Sequence, residues 1–118
     1  MLKFTVIVGL NDKETKKQEI STEKAYNIIF KTLLNNGIEG ATLTEAKGFY
    51  THNNGEIVIE NSIKIEMLFI EKSTASAIAK ELRKILNQES VVLEVAELES
   101  ELIEGWEINL LFLLFFYF

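Results

Sequence analysis

The feature that most constrains this chain is a change of apolar period, from two to about three and a half, that recurs along its length. Leu2, Phe4, Val6, Val8 and Leu10 alternate with Lys3, Thr5, Ile7 and Gly9, as in a strand with one covered face. After the polar stretch NDKETKKQEIS, Ala25, Ile28, Ile29 and Leu33 recur at helical spacing, widened by Phe30 and Leu34. Ser21-Thr22 offer N-cap oxygens with Glu23 behind them, and Asn36-Gly37 supply the left-handed stop that glycine enters most cheaply. A second strand runs from Gly40 to Tyr50. Its apolar pair Leu43 and Ala46 stand three apart, which predicts a β-bulge or bend near Thr44-Glu45 with Gly48 easing the backbone. The alternative is that Ala46 faces outward on a partly covered sheet.

Asn54-Gly55 marks a tight hairpin connection over Thr51 to Gly55. Ile57, Ile59, Ile63, Ile65, Met67 and Phe69 then share one face of a third strand. Asn61-Ser62 interrupts it, so it is either two short strands or one that enters the sheet late. Ser73-Thr74 read as the cap of a second helix whose apolar face is Ala75, Ile78, Ala79, Leu82, Ile85 and Leu86, and Ser90 to Glu97 is a fourth strand. The order β-α-β-β-α-β predicts an α+β, ferredoxin-like fold: a four-stranded antiparallel sheet with two helices on one face. One domain over 1–103 is expected, followed by a hydrophobic tail over 104–118.

Two helices cover one face of such a sheet. The other would show Thr5, Ile7, Lys64, Glu66, Leu68 and Ile70, half of them apolar, which points to a homo-oligomer. The net charge of −6 is localised. Six glutamates from Glu94 to Glu107 fall among no lysine or arginine, leaving twelve acids against twelve bases elsewhere. A neutral body with an acidic end lacks the basic footprint of a nucleic-acid binder. The 118 residues contain no cysteine, which excludes disulfides, thiolate metal sites and cysteine nucleophiles and fits a reducing compartment. No signal peptide is read at the N-terminus, so a cytoplasmic protein of bacterial or phage type is expected.

The run Gly40-Ala41-Thr42-Leu43-Thr44-Glu45-Ala46-Lys47-Gly48-Phe49 resembles the second strand of the nitrogen regulatory protein P-II family, and Ile63-Lys64-Ile65-Glu66-Met67-Leu68 resembles its third. The resemblance covers roughly residues 3 to 98. It implies a trimer, favoured over a dimer, with adenine nucleotides bound between subunits and a partner-contacting loop between strands two and three. Carried over, it assigns Gly40, Ala41, Thr42 and Leu43 to a ligand cleft, together with Gln88 and Ser90 before strand four. The family's glycine-rich phosphate loop there is replaced by Asn87-Gln88-Glu89-Ser90, whose carboxylate would repel phosphate, so ATP is not the expected ligand. The loop between strands two and three is reduced to Tyr50 through Glu56. A second set of fragments resembles small uncharacterised ferredoxin-like bacterial domains: Gly9-Leu10, Gly48-Phe49-Tyr50, Gly55-Glu56-Ile57-Val58-Ile59-Glu60-Asn61-Ser62 and Gln88-Glu89-Ser90-Val91.

Catalytic residues are scarce. His52 is the single histidine, and Thr51 beside it points to the opposite face of the strand, so no triad forms. Scattered glutamates give no metal-ligand spacing, and no cofactor is indicated. Glu60 and Glu66 could meet as an acid pair across a dimer. The expectation is an oligomeric P-II-like signalling or binding module, with the hairpin residues Tyr50, His52, Asn53 and Asn54 able to contact a protein partner. The alternative is a small cofactor-free enzyme with a pocket between helices and sheet, lined by Tyr26, Phe30, Phe49 and Tyr50. The segment INLLFLLFFYF, 108–118, would span only about 16 Å as a helix, half of a bilayer core. It is read first as an aberrant end, then as an oligomer-docking segment, and last as a membrane anchor.

Overall fold

The structure is a computed structural model, and it describes residues 1–105. Its elements run β1 (Leu2–Gly9), α1 (Thr22–Asn35), β2 (Thr42–Thr51), β3 (Ile57–Leu68), α2 (Lys72–Ile85) and β4 (Val92–Glu97). All neighbouring strands are antiparallel, in the order β2-β3-β1-β4. This is the α+β ferredoxin-like arrangement. The hydrophobic tail expected over 104–118 lies, from residue 106 onward, outside the described residues. Among the described residues, no helix is long and apolar enough to cross a membrane.

The register explains which residues make the core. Phe4, Val6 and Val8 of β1 stand opposite Met67, Ile65 and Ile63 of β3, and all six are fully buried. Ala25, Ile29 and Leu33 of α1 and Ala75, Ile78 and Leu82 of α2 close over them. The helices end as their chemistry dictates. Ser21 accepts from Lys24 N at the start of α1, and Gly37 takes φ 75° just beyond its end. In α2, Arg83 and Lys84 face the negative end of the helix dipole. The Asn36 side-chain amide ties the helices together by donating to Glu81 Oε2 at 2.9 Å.

Two open readings are decided and several local expectations change. The β2–β3 register is unbroken from Thr42↔Glu66 to Thr51↔Ile57, so there is no bulge at Thr44-Glu45. Leu43 sits opposite the buried Ile65 on the helix side, whereas Ala46 sits opposite Ser62 on the uncovered side. Likewise β3 is one strand of twelve residues running straight through Asn61-Ser62. The cap of α2 is Glu71, without a side-chain capping bond, because the helix begins at Lys72, before Ser73-Thr74. The fourth strand starts at Val92 rather than Ser90. Ile70 packs against the core instead of joining the uncovered face, because Phe69 turns the chain at φ 61°.

The hairpin closes through a hydrogen-bonded turn from His52 to Gly55, whose last residue is left-handed. His52 O accepts from Gly55 N at 2.9 Å, His52 N donates to Glu56 O at 2.8 Å, and Gly55 has φ 84°. Beyond the helices the helix-side face of this β2–β3 ribbon is bare. Phe49, Ile57 and Ile59 are 76%, 65% and 67% exposed, although their parity is that of the buried Ile63 and Ile65.

Candidate functional site

At the end of β1, three segments meet on the uncovered side of the sheet. The first is the strand surface itself, where Ile7 and Gly9 neighbour Ser62 and Glu60 of β3 and Gly48 and Tyr50 of β2. The second is the loop after β1, and the third is the α2–β4 loop, residues 87–90. Together they enclose a cleft of about 290 Å³. That is at the lower edge of the roughly 300–1,000 Å³ usual for small-molecule sites.

Hydrogen bonds hold the two loops as a frame. Leu10 N donates to Asn61 O, Asn61 Nδ2 to Gln18 Oε1, and Gln88 Nε2 to Asn11 O at 2.8 Å. Asp12 caps its own turn by accepting from Glu14 N and Thr15 N, and it also accepts from Asn87 Nδ2 at 2.9 Å. The bond from Asn87, followed by the two backbone amides, holds the Asp12 carboxyl below its ordinary value. Asn87 also donates to Glu14 Oε2 and adopts φ 48°, a left-handed turn that asparagine tolerates.

Three carboxylates line the cleft, Asp12, Glu60 and Glu89, against the two lysines Lys13 and Lys16. Glu60 is half-buried. It accepts one backbone bond from Asn11 N at 3.2 Å and has no ion-pair partner among the described residues. Tyr50 lies diagonally across the β2–β3 pair from it. Desolvation, then the charges of Glu60 and Glu89, raise the Tyr50 phenol above its ordinary value, so at neutral pH it is a hydrogen-bond donor. The His52 ring meets the Tyr50 ring edge-on, with centroids 5.1 Å apart.

The residues assigned by the P-II resemblance separate into two places. Gln88 and Ser90 line the cleft just described, although the Gln88 amide nitrogen is already engaged by Asn11 O and Leu86 O. Gly40, Ala41 and Thr42 line a second, wider cleft of about 720 Å³ beside Lys3, Glu66 and Leu68, while Leu43 packs against the core. Lys3 and Gly9 mark the two ends of β1, six residues apart, which is roughly 20 Å. In the hairpin, Asn54 Oδ1 accepts from Glu56 N, and Asn53 is exposed. Tyr26 and Phe30 stand half-exposed on α1 and line neither of these two clefts, whereas Phe49 and Tyr50 line the first. Glu66 pairs with Lys3 and Lys64 at 3.5 and 3.6 Å and lines the second cleft rather than the one that holds Glu60. Among the described residues, no group of three potential metal-ligating side chains converges.

What the residue-by-residue reading missed is the conjunction of Gly9, Tyr50, Glu60 and Glu89. Its signal was present in the second set of fragments, since all four contribute to this one cleft.

No family model matches the chain, and no curated protein sequence matches it. Solved structures do. GlnK of B. subtilis, in an ATP complex, superimposes with a TM-score of 0.52 at 14% identity, covering 82% of this chain and 82% of that one. The fold is P-II-like. A phage SAM lyase in complex with S-methyl-5′-thioadenosine gives a TM-score of 0.66 at 28% identity, over 81% of this chain and 80% of that one. A phage SAM lyase in the apo state gives 0.66 at 25% identity, over 87% and 92%. The fold of this chain is thus shared with phage SAM lyases as well as with GlnK.

Proposed function

We propose that this P-II-like protein cleaves S-adenosylmethionine, releasing S-methyl-5′-thioadenosine, in the cleft at the end of β1. The observation that carries the reading is the 28% identity, across four-fifths of both chains, to a lyase that holds that thioether. The composition of the cleft supports it. A sulfonium is a cation, and the lining presents Glu60, without an ion pair, beside Glu89 and a neutral Tyr50. A triphosphate would meet those same carboxylates unfavourably.

The chemistry asks little of the protein. The bond between Cγ and sulfur breaks, its electron pair stays on sulfur, and the sulfonium becomes a neutral thioether. The electrons for the new bond can come from the substrate's own carboxylate, which reaches Cγ to close a five-membered lactone. Neither a base nor a redox cofactor is needed. What the cleft must supply is orientation of the carboxylate behind Cγ and exclusion of competing water. The loops framed by Gln88, Asn87 and Asp12 are built for holding rather than for proton transfer.

At about 290 Å³, the cleft of one chain is tight for a nucleoside carrying an amino-acid tail. The resemblance's cleft residues also lie at both ends of β1. Both facts support a homo-oligomer, with a trimer favoured, in which the Gly40-Ala41-Thr42 end of one copy completes the Tyr50–Glu60 end of the next. Exposed Phe49, Ile57 and Ile59 supply apolar surface for that contact.

The test is incubation of the purified protein with S-adenosylmethionine alone at neutral pH, with products resolved by chromatography and mass. Equal amounts of the thioether and homoserine lactone, well above the spontaneous rate, are expected. Absence of enzyme-dependent thioether refutes the reading. A binding module without catalysis is the second reading, favoured by the exposed hairpin carrying Tyr50 and His52; it predicts nucleoside binding by calorimetry with no turnover.

A further inference from the structure

Gly9 is not required by its own backbone. Positive φ among the glycines occurs only at Gly37 and Gly55, and Gly9 ends β1 as a regular strand residue opposite Ser62. A side chain there nevertheless has nowhere to go. A Cβ on Gly9 would lie 2.4 Å from Glu60 Oε1, 2.5 Å from its Cδ and 2.6 Å from Oε2. The Glu60 head group leans diagonally across the bare backbone of β1, with Asn11 N donating to one oxygen. A carboxylate has about four lone-pair sites, so most of its accepting capacity remains for the cleft.

We infer that Gly9 is a positioning residue, whose missing side chain forms the seat that holds the Glu60 carboxylate in the cleft beside Tyr50. The seat itself stands on geometry; that the carboxylate meets a sulfonium rests on the lyase reading. The obstruction is the far end of a flexible side chain rather than backbone. Alanine at position 9 is therefore accommodated by displacing the carboxylate, with the fold left in place. A glycine kept for packing would show the opposite pattern, loss of stability without a specific change in the cleft.

The experiment is a double-mutant cycle on the full chain, Gly9→Ala, Glu60→Ala and the pair, read by thermal melting and by kcat and KM for S-adenosylmethionine. Gly9→Ala is expected to melt within a few degrees of the parent and to raise KM about threefold, as moving one charge by an ångström or two in a half-exposed site does. In the Glu60→Ala background the same change should leave KM unchanged. Equal effects in both backgrounds overturn the inference. Glu60→Asp, which withdraws the carboxylate from the seat while leaving Gly9 intact, should reproduce the rise in KM even where Gly9→Ala folds poorly; parental kinetics for it would overturn the seat. Should the parent show no turnover, the Tyr50 phenol, followed by NMR titration of ring-labelled tyrosine, reads the seat independently. Gly9→Ala should move it downward, as Glu60→Gln does, and no movement in Gly9→Ala alongside a shift in Glu60→Gln refutes the inference without reference to catalysis.

Discussion

Replacing Glu60 by glutamine removes one negative charge and keeps the side chain's shape. If the substrate's sulfonium sits within about 4 Å of the carboxylate, Coulomb's law gives about 1 kcal/mol in a water-like medium and about 4 kcal/mol at an effective dielectric constant of 20. Glu60 is half-buried in an open cleft and has no ion-pair partner among the described residues, so an intermediate value of about 2 kcal/mol applies. That corresponds to roughly a thirtyfold weaker interaction with a cation. The product thioether is neutral and should lose almost none of its affinity. Since the sulfonium also loses its charge as the carbon–sulfur bond breaks, the carboxylate favours the bound substrate over the transition state. Glu60→Gln should therefore raise KM by about thirtyfold and leave kcat equal or slightly higher. The assay is steady-state production of the thioether, paired with calorimetric binding of the thioether itself. Equal losses of affinity for cationic substrate and neutral product would refute the electrostatic reasoning, because they would mean that Glu60 serves shape or hydrogen bonding.

Other outcomes follow from the fold and its loops. Ile65→Ala opens a cavity between β1, β3 and the helices at a fully buried site and should cost about 2–5 kcal/mol in urea unfolding. Gly55→Ala places a Cβ at φ 84° in the hairpin and should cost about 1–2 kcal/mol by the same measurement, without altering the β1-end cleft. The Asp12 carboxyl is depressed, chiefly by Asn87, so its contribution is present above its unfolded value and is lost as pH falls through the lower folded value. Asn87→Ala should raise the Asp12 midpoint in an NMR titration, and an unmoved midpoint would show that the backbone amides suffice. The Tyr50 phenol is raised, so its contribution is present below the unfolded value and is lost as pH rises through the folded one. Tyr50→Phe should remove that alkaline step from the stability profile.

Element order and core were legible because covered and uncovered faces follow simple periods. Phe4, Val6, Val8, Ile63, Ile65 and Met67 alternate strictly, and burial of those residues follows directly. Ala46 left two readings open because alanine is apolar enough to break a pattern yet small enough to face outward beside Ser62 at little cost. Glu71 displaced the expected cap of α2 because a helix start depends on where the chain leaves the strand, which Phe69 sets by a left-handed turn that no local pattern announces. The site was legible only in fragments. Gly9, Tyr50, Glu60 and Glu89 lie on four separate segments, and periodicity carries no information about which loops fold toward each other. Glu60 in particular looked like one more surface carboxylate. Its distinction comes from the vacant position at Gly9 across the strand, a relation between residues 51 positions apart.

Central to the proposed lyase activity is occupancy of the end of β1 by the substrate. It is tested most directly by determining the structure of the full-length protein with S-methyl-5′-thioadenosine bound. The thioether should lie against Gly9, Tyr50 and Glu60, with its sulfur toward the carboxylate and the Gly40-Ala41-Thr42 segment of a second copy closing the site. A ligand held elsewhere, with the Tyr50–Glu60 cleft empty, would contradict it.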